Sequence, residues 1–399
     1  MININEISFS NIWRAKKEFK IKLDRNFTVL TGYNGCGKTT VLDLLHASLS
    51  FLHDVESVLV TKDWASQIDF DNGLVSRVYN FDCSYDLNEQ TKKNVLSAAI
   101  DNFDAPLDHT IDVVLGIVDE FKTKTAEIES DSPVIKGGVS KKEVVSQTFG
   151  LTKKVDGFTE QNKKELPFSI LFKNEEFFYN EDNENAEELE KRSIFTKENN
   201  IDKTLYRLLN EFVLKEASQK DELDVLAKEH VKKQISALIK KNIMDRIKSG
   251  RKIDTKFLKG IDEIVEEVQK DVVTSRWGEP LFKELDKFFS LTKRSVFRDS
   301  DGFIGVKLKN QNNVKWFNLS RGEKTLVSLL LNVYLNKDKN VLFIFDEPDL
   351  SLHIEWQELL LPSLSRLAPN RKFILSTHSP ALIGNVRERF YNMTSIMDI

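Results

Sequence analysis

Two segments, separated by about three hundred residues, contain the side chains best suited to chemistry on a phosphate group. Residues 32–39 read GYNGCGKT, and residues 341–349 read VLFIFDEPD. The first segment matches the pattern G-x-x-x-x-G-K-[S/T], in which backbone N–H groups surround phosphates, a lysine reaches the terminal phosphates and a hydroxyl group binds Mg²⁺. The second segment is an apolar run that ends in two acids. Together they predict nucleotide hydrolysis.

The flanking residues favour a genuine phosphate-binding loop over a chance match. Phe27–Leu30 is typical of a short buried strand, and Val41–His46 begins an apolar pattern with helical spacing. A glycine-rich turn between a strand and a helix directs N–H groups and the positive end of the helix dipole toward an anion. We therefore predict that the nucleotide is bound by Asn34, Gly35, Cys36, Gly37, Lys38, Thr39 and Thr40, with Lys38 also serving catalysis.

The acidic pair follows a segment suited to a central strand. Five apolar residues precede Asp346, as expected for a strand that is buried on both faces. A carboxylate at the carboxyl end of such a strand faces the crevice in which α/β sheets bind ligands. We predict that Asp346 and Thr39 hold Mg²⁺, and that Glu347 is the general base that polarises the attacking water.

Two further segments contain polar groups next to apolar elements. Residues 319–324 read LSRGEK and precede an apolar helix, so Ser320 and Glu323 form a predicted capping box at a helix N-terminus. Residues 373–380 read FILSTHSP, which places His378 directly after a predicted buried strand. Between the acidic pair and this strand lies DLSLH, residues 349–353.

In this order, the four segments and DLSLH resemble the motifs of ABC-type ATPases of the RecF/OLD/SMC-like branch. The resemblance covers roughly residues 1–55 and 285–399. It implies that Ser320 and Gly322 bind the γ-phosphate held by a second subunit, that His378 is the switch histidine and that residues 349–353 are the D-loop. Arg321 departs from the family, which usually has glycine there. The implied cofactors are ATP and Mg²⁺.

The resemblance also implies an α/β fold, an ABC-type ATPase head with a parallel core sheet that carries the P-loop and an antiparallel side sheet. Alternating segments between residues 1 and 100 agree with the side sheet. We predict an N-terminal half of the head at residues 1–100, a mostly helical insertion at 101–290 and a C-terminal half at 291–399. Gln67 and Gln90 are both open candidates for the Q-loop glutamine.

Composition limits the class of protein. The chain has 399 residues, 40% hydrophobic and 30% charged, with a net charge of −4. It has no run of eighteen apolar residues, no signal-peptide pattern and only two cysteines. These features predict a cytoplasmic protein without membrane contact and without a disulfide framework.

The resemblance implies a homodimer or higher oligomer that sandwiches ATP between subunits. About twenty residues follow His378, too few for the Toprim nuclease domain of OLD-like proteins. We therefore expect a separate effector chain, a nuclease or toxin, as in antiphage systems whose ATPase subunits this chain resembles.

The alternative is a RecF-like repair ATPase that binds DNA through Lys233, Lys240, Lys241 and Lys248, although an ordinary solvated helix face also explains these lysines. A transporter subunit is a third reading, which the long insertion and the lack of a clear Q-loop disfavour.

Overall fold

The computed structural model describes residues 2–12, 18–53, 63–83, 87–130, 145–153, 165–179, 201–219, 277–384 and 389–396. The chain divides into two compact units. The first comprises Met1–Thr196 together with Asn336–Ile399, and the second comprises Lys197–Leu335.

Strands and helices are numbered here in chain order. The strands are β1 (Ile4–Ser10), β2 (Phe19–Lys22), β3 (Phe27–Thr31), β4 (Trp64–Phe70), β5 (Val75–Cys83), β6 (Val145–Lys153), β7 (Phe168–Lys173), β8 (Glu176–Tyr179), β9 (Ser295–Arg298), β10 (Ile304–Lys307), β11 (Asn313–Val314), β12 (Val341–Asp346), β13 (Lys372–Ser376) and β14 (Arg389–Asn392). The helices are α1 (Lys38–Leu52), α2 (Glu89–Asp101), α3 (Leu107–Ser130), α4 (201–219), α5 (Glu279–Ser290), α6 (Arg321–Asn336), α7 (Ile354–Leu367), α8 (Pro380–Ile383) and α9 (Met393–Ile396).

A six-stranded sheet forms the centre of the first unit, in the order β14-β3-β13-β12-β7-β8. Its first five strands are parallel, and β8 closes the edge as the antiparallel arm of a hairpin with β7. The five apolar residues of β12 are all buried, as the sequence predicts for a central strand. Because the strands are parallel, the residues that follow β3, β12 and β13 meet at one edge of the sheet.

The second sheet of this unit is antiparallel, in the order β2-β1-β4-β5-β6. The hairpin between β4 and β5 turns at residues 71–73, where Gly73 has φ +76° and thus a conformation that glycine accepts readily. Helix α1 contacts strands of both sheets, so the P-loop helix is packed on two sides. Both sheets have the type predicted from the sequence, and the predicted fold class is confirmed.

The second unit is built around helices and a small antiparallel sheet, β11-β10-β9. Aromatic rings of Phe212, Trp277, Phe282 and Tyr334 pack together there, with centroid separations from 4.9 to 6.2 Å. The guanidinium of Arg298 lies 4.4 Å from the ring centroid of Phe282. Contacts of this kind add to the apolar burial that holds a small helical unit together.

The compact units divide the chain at points other than the predicted domain boundaries. Strands β6, β7 and β8 lie within the segment 101–290 that we expected to be mostly helical, and helix α2 crosses the predicted boundary at residue 100. Strand β7 has an apolar run typical of a buried strand, yet no motif marks it as part of the core sheet. The basic stretch with Lys233, Lys240, Lys241 and Lys248 lies outside the described residues. Among the helices that are described, none is long and apolar enough to cross a membrane.

A buried histidine on α1 makes the stability of the first unit depend on pH. His46 Nδ1 lies 2.8 Å from Ser169 Oγ on β7, and burial lowers the pKa of His46 to about 4. Because the unfolded chain binds a proton near pH 6.5 and the folded chain does not, the stabilisation is complete above that pH. It should fall by roughly 3 kcal/mol as the pH drops from 6.5 toward 4.

Urea unfolding of the wild type and of His46→Gln at pH 7, 5.5 and 4 tests this expectation. The variant should lose less stability across the series, because glutamine does not titrate. His109→Gln, a change to an exposed histidine on α3, is the matched control and should follow the wild type. An equally steep loss in His46→Gln would show that other groups cause the acid sensitivity.

Candidate functional site

The P-loop connects β3 to α1 in the first unit. Gly37 is the residue before α1 and has φ +89°, a conformation in which side chains are strained. Lys38 is 5% exposed, and its Nζ donates to the carbonyl oxygens of Gly32 and Tyr33, both at 3.1 Å. The lysine ammonium group is therefore held by the loop itself, next to a helix N-terminus.

A residue near the end of the described chain supports the start of this loop. The backbone N–H of Tyr33 donates to Thr394 Oγ1 at 2.8 Å. A Cβ atom at Gly32 would lie 2.8 Å from that same hydroxyl oxygen and 2.8 Å from Cys36 Sγ. Gly32 therefore permits a close approach between the P-loop and the segment after β14.

Thr39 and the first acid of the pair meet at the edge of the parallel sheet. Thr39 Oγ1 lies 3.0 Å from Oδ1 and 3.0 Å from Oδ2 of Asp346. Ser376, the last residue of β13, donates its hydroxyl to Asp346 Oδ1 at 2.6 Å. Three neighbouring elements thus place one carboxylate and two hydroxyl groups together, which is an all-oxygen set of the kind that Mg²⁺ prefers.

The second acid has an unusual backbone conformation. Glu347 has φ +48°, which is uncommon for a residue other than glycine, asparagine or aspartate. Its N–H is satisfied by Ser376, whose Oγ lies at 3.0 Å and whose carbonyl oxygen lies at 3.2 Å. His378 Nε2 lies 3.6 Å from Glu347 Oε1, and both side chains are partly exposed. Strained residues of this kind cluster at functional sites.

The predicted capping box is present at the start of α6 in the second unit. Ser320 N–H donates to Glu323 Oε2 at 2.7 Å, and Glu323 N–H lies 3.4 Å from Ser320 Oγ. Arg294 forms an ion pair with Glu323. Ser320 is exposed, and Gly322 follows in the first turn of the helix. The structure places Lys38, Thr39, Asp346, Glu347 and His378 in the first unit, whereas Ser320 and Gly322 belong to the second.

Comparison with known protein families decides the class of this chain. The family described as the AAA ATPase domain matches residues 3–383. The chain belongs to this family. It is therefore a nucleotide-binding ATPase, with the parallel core sheet and the antiparallel side sheet that the resemblance implies.

Two curated relatives of this AAA ATPase are named as ATPases of retrons. "Retron Vc95 probable ATPase" from Vibrio cholerae serotype O1 biovar El Tor is 24% identical over 431 residues, covering 100% of this chain and 75% of the relative. "Retron Ec83 probable ATPase" from Escherichia coli is 23% identical over 411 residues, covering 92% of this chain and 66% of the relative. The chain therefore spans only part of the length of each relative.

Solved structures similar to this ATPase include two SMC head domains. The Smc head domain of Pyrococcus furiosus, solved with an extended coiled coil and the C-terminal domain of ScpA, has 17% identity and a TM-score of 0.39, covering 97% of this chain and 92% of that one. The SMC head domain from Thermotoga maritima has 11% identity and a TM-score of 0.37, covering 96% and 92%.

Sequence reasoning missed an ion pair near the metal-binding candidates of this ATPase. Lys173, at the end of β7, lies 2.6 Å from Asp43 on α1. Burial raises the pKa of Asp43, the nearby charge of Asp346 raises it further, and Lys173 opposes both effects. The pair connects the P-loop helix to the strand beside β12. Its only sequence signal is a charged residue at the end of an apolar strand, the same signal that identified Asp346.

The two candidates for the Q-loop glutamine are engaged elsewhere. Gln67 on β4 donates to Asp69 at 3.0 Å and accepts from Arg77 at 2.8 Å. Gln90 on α2 donates to Asn94 at 2.9 Å. Neither contact involves the P-loop, so the Q-loop assignment stays open.

Proposed function

We propose that two copies of this ATPase sandwich two ATP molecules with Mg²⁺, and that the nucleotide state controls a separate effector protein, a nuclease or toxin, in antiphage defence. The observation that supports the chemical part best is the convergence of Thr39 and Asp346 at the edge of the core sheet, beside Glu347. A hydroxyl group and a carboxylate 3.0 Å apart suit a shared magnesium ion. When bound, Mg²⁺ neutralises charge on the phosphate oxygens.

The residues of the P-loop bind and orient the triphosphate. The N-terminus of α1 directs unpaired N–H groups toward it, and Lys38 exchanges the carbonyl oxygens of Gly32 and Tyr33 for the β- and γ-phosphate oxygens. Such preorganised donors stabilise the charge that develops in the transition state. Asn34, Gly35, Cys36, Gly37 and Thr40 complete the loop around the phosphates.

Glu347 is the proposed general base. A water molecule attacks the γ-phosphorus, its proton passes to the carboxylate of Glu347, and the bond to the β–γ bridging oxygen breaks. The proposed role of His378 is to hold this carboxylate and the γ-phosphate in place, since its Nε2 lies 3.6 Å from Glu347 Oε1. The left-handed backbone at Glu347 supports a role that needs one fixed side-chain direction.

The second subunit supplies the remaining groups of each site. Ser320 is exposed at a helix N-terminus, where it is available to a phosphate bound by another copy. In the first unit, large apolar side chains are exposed on the P-loop and the D-loop, with Tyr33 and Leu350 each 78% exposed. A second copy that covers these loops would remove this apolar surface from water.

The effector part of the proposal is supported by the names of both curated relatives, which are probable ATPases of retrons. It also has a physical basis. An ATPase that closes on ATP and opens after hydrolysis is a two-state element, and a partner that binds one state better is held or released with the nucleotide. Among the residues that the structure describes, no three or more His, Cys, Asp or Glu side chains form a group that could hold a metal ion.

Affinity purification from the native host tests the effector role. We expect a tagged chain with Glu347→Gln, prepared with ATP, to retain one stoichiometric protein that mass spectrometry assigns to a nuclease or toxin encoded nearby. The Lys38→Ala variant, which we expect not to bind the nucleotide, should retain a different amount of that protein.

Two outcomes would contradict the effector role. Equal recovery of the protein from both variants would show that its binding does not depend on the nucleotide state. Recovery of DNA without a stoichiometric protein would favour the repair alternative. In that case, reversal of the charges at Lys233, Lys240, Lys241 and Lys248 should weaken DNA binding and reduce its dependence on salt.

A further inference from the structure

The reacting side chains of the proposed site lie on two neighbouring loops. Glu347 lies on the loop after β12, and His378 lies on the loop after β13. These two strands pair in parallel, so both loops begin at the same edge of the sheet. The strand pairing fixes where each loop starts. It does not fix the residues beyond the ends of the strands, which must be positioned by other contacts.

The side-chain amide of Gln357, on the first turns of α7, bridges these two loops. Its Nε2 donates to the carbonyl oxygens of Asp349 at 3.1 Å and of Leu352 at 2.9 Å, both on the loop after β12. Its Oε1 accepts from Ser379 Oγ at 2.5 Å, on the loop after β13. Both N–H groups of the amide bind one loop and the oxygen binds the other, so each polar atom of the side chain has a partner.

A second connection between the loops lies next to the first and is buried. Thr377 Oγ1 donates to Asp349 Oδ1 at 2.7 Å, and both side chains are buried. Ser379 N–H donates to Thr377 Oγ1 at 2.9 Å, so Ser379 belongs to both connections. His378 lies between Thr377 and Ser379 in the chain, and both of its neighbours are therefore fixed to the loop that begins with Glu347.

We propose that Gln357 and Ser379 are positioning residues for ATP hydrolysis, which hold His378 in register with Glu347. The inference rests on the proposed function, because it assumes that Glu347 activates water. Gln357 contacts no P-loop residue among the contacts described, so its contribution is to the chemical step and not to nucleotide affinity. A displacement of about 1 Å in a reacting group is enough to lower a rate by roughly 10²-fold.

The loop after β12 includes the D-loop, where Leu350 is 78% exposed and available to a second subunit. Through the Gln357 amide, a displacement of the carbonyl groups at residues 349 and 352 is transmitted to Ser379 and so to His378.

Turnover and nucleotide binding of four single variants and one double variant test the proposal. Gln357→Glu keeps the size of the side chain but removes both N–H donors and sets a carboxylate against two carbonyl oxygens. Ser379→Ala removes the hydroxyl, and Ser379→Thr keeps it. Glu358→Gln, at an exposed neighbour on the same helix, is the matched control. Each is compared with the wild type for kcat, for the Kd of a fluorescent ATP analogue and for thermal unfolding.

We expect kcat to fall roughly 10- to 100-fold in Gln357→Glu and in Ser379→Ala, with the Kd for nucleotide within about two-fold of the wild type. Ser379→Thr should retain most of the turnover that Ser379→Ala loses. Gln357→Glu and Ser379→Ala combined should be little worse than Gln357→Glu alone, because both break the same connection. Glu358→Gln should match the wild type.

The inference is wrong if kcat stays at the wild-type value in Gln357→Glu or if nucleotide affinity falls in parallel with kcat, as general unfolding of the site would cause. Should Gln357→Glu fail to fold, the Ser379→Ala and Ser379→Thr pair still decides the question. Wild-type turnover in both Ser379 variants would overturn the proposal. Full activity of Glu347→Gln would instead overturn the proposed function itself.

Discussion

Replacement of Glu347 by glutamine should lower the ATP hydrolysis rate roughly 10²- to 10⁴-fold, the range expected for loss of a general base. Glutamine has the size of glutamate and keeps an acceptor near His378, but it does not take a proton from water. The groups proposed to bind the triphosphate and the metal, Lys38, Thr39 and Asp346, are unchanged. ATP binding should therefore persist, and the ATP-bound dimer should accumulate.

The measurement combines steady-state hydrolysis with molecular mass in solution, determined with and without ATP. The variant should show a dimer mass with ATP that persists, whereas the wild type should return to the smaller species as ATP is consumed. Glu358→Gln, which changes an exposed carboxylate on α7, should hydrolyse ATP normally and serves as the control. Hydrolysis at the wild-type rate by Glu347→Gln would remove Glu347 from the mechanism.

The parts of the site that could be predicted from the sequence are those in which strand, loop and helix are consecutive. Gly32–Thr39 follows β3 and begins α1, so local spacing alone identifies a phosphate-binding loop. The same holds for the acids after β12 and for Ser320 before α6. The meeting of Thr39 with Asp346 could be predicted as well, since parallel strands place their carboxyl ends together.

The parts that could not be predicted depend on pairings between distant segments. Strand β7 joins the core sheet beside β12, about 170 residues away, and no local pattern specifies that neighbour. The ion pair of Asp43 and Lys173 follows from it and was missed. Thr394 at the P-loop and Gln357 between two loops were missed for the same reason, because each acts through a single side chain in an otherwise ordinary element.

Replacement of Ser320 by arginine should abolish hydrolysis while leaving ATP binding by one subunit largely intact. The serine precedes α6 and is exposed, whereas the P-loop residues proposed to bind the triphosphate within one subunit are unchanged. In the proposed dimer, arginine at this position obstructs the sandwich from the opposite subunit. The lost cap of α6 should cost about 1 kcal/mol of stability, too little to unfold the chain. Ser320→Ala removes the hydroxyl and the cap without the added bulk, so the difference between the two variants measures the obstruction by arginine.

Mixing Ser320→Arg with Lys38→Ala tests whether the sites are shared between subunits. Lys38→Ala alone should lose both nucleotide binding and hydrolysis, because a buried cation facing the phosphates is removed. In a mixed dimer, one composite site contains both lesions and the other contains neither. Random mixing should therefore return about a quarter of the wild-type activity, since half of the dimers have one intact site of two. If proven mixed dimers remain inactive, then either the two sites hydrolyse ATP only when both are intact, or Ser320 does not act across the dimer.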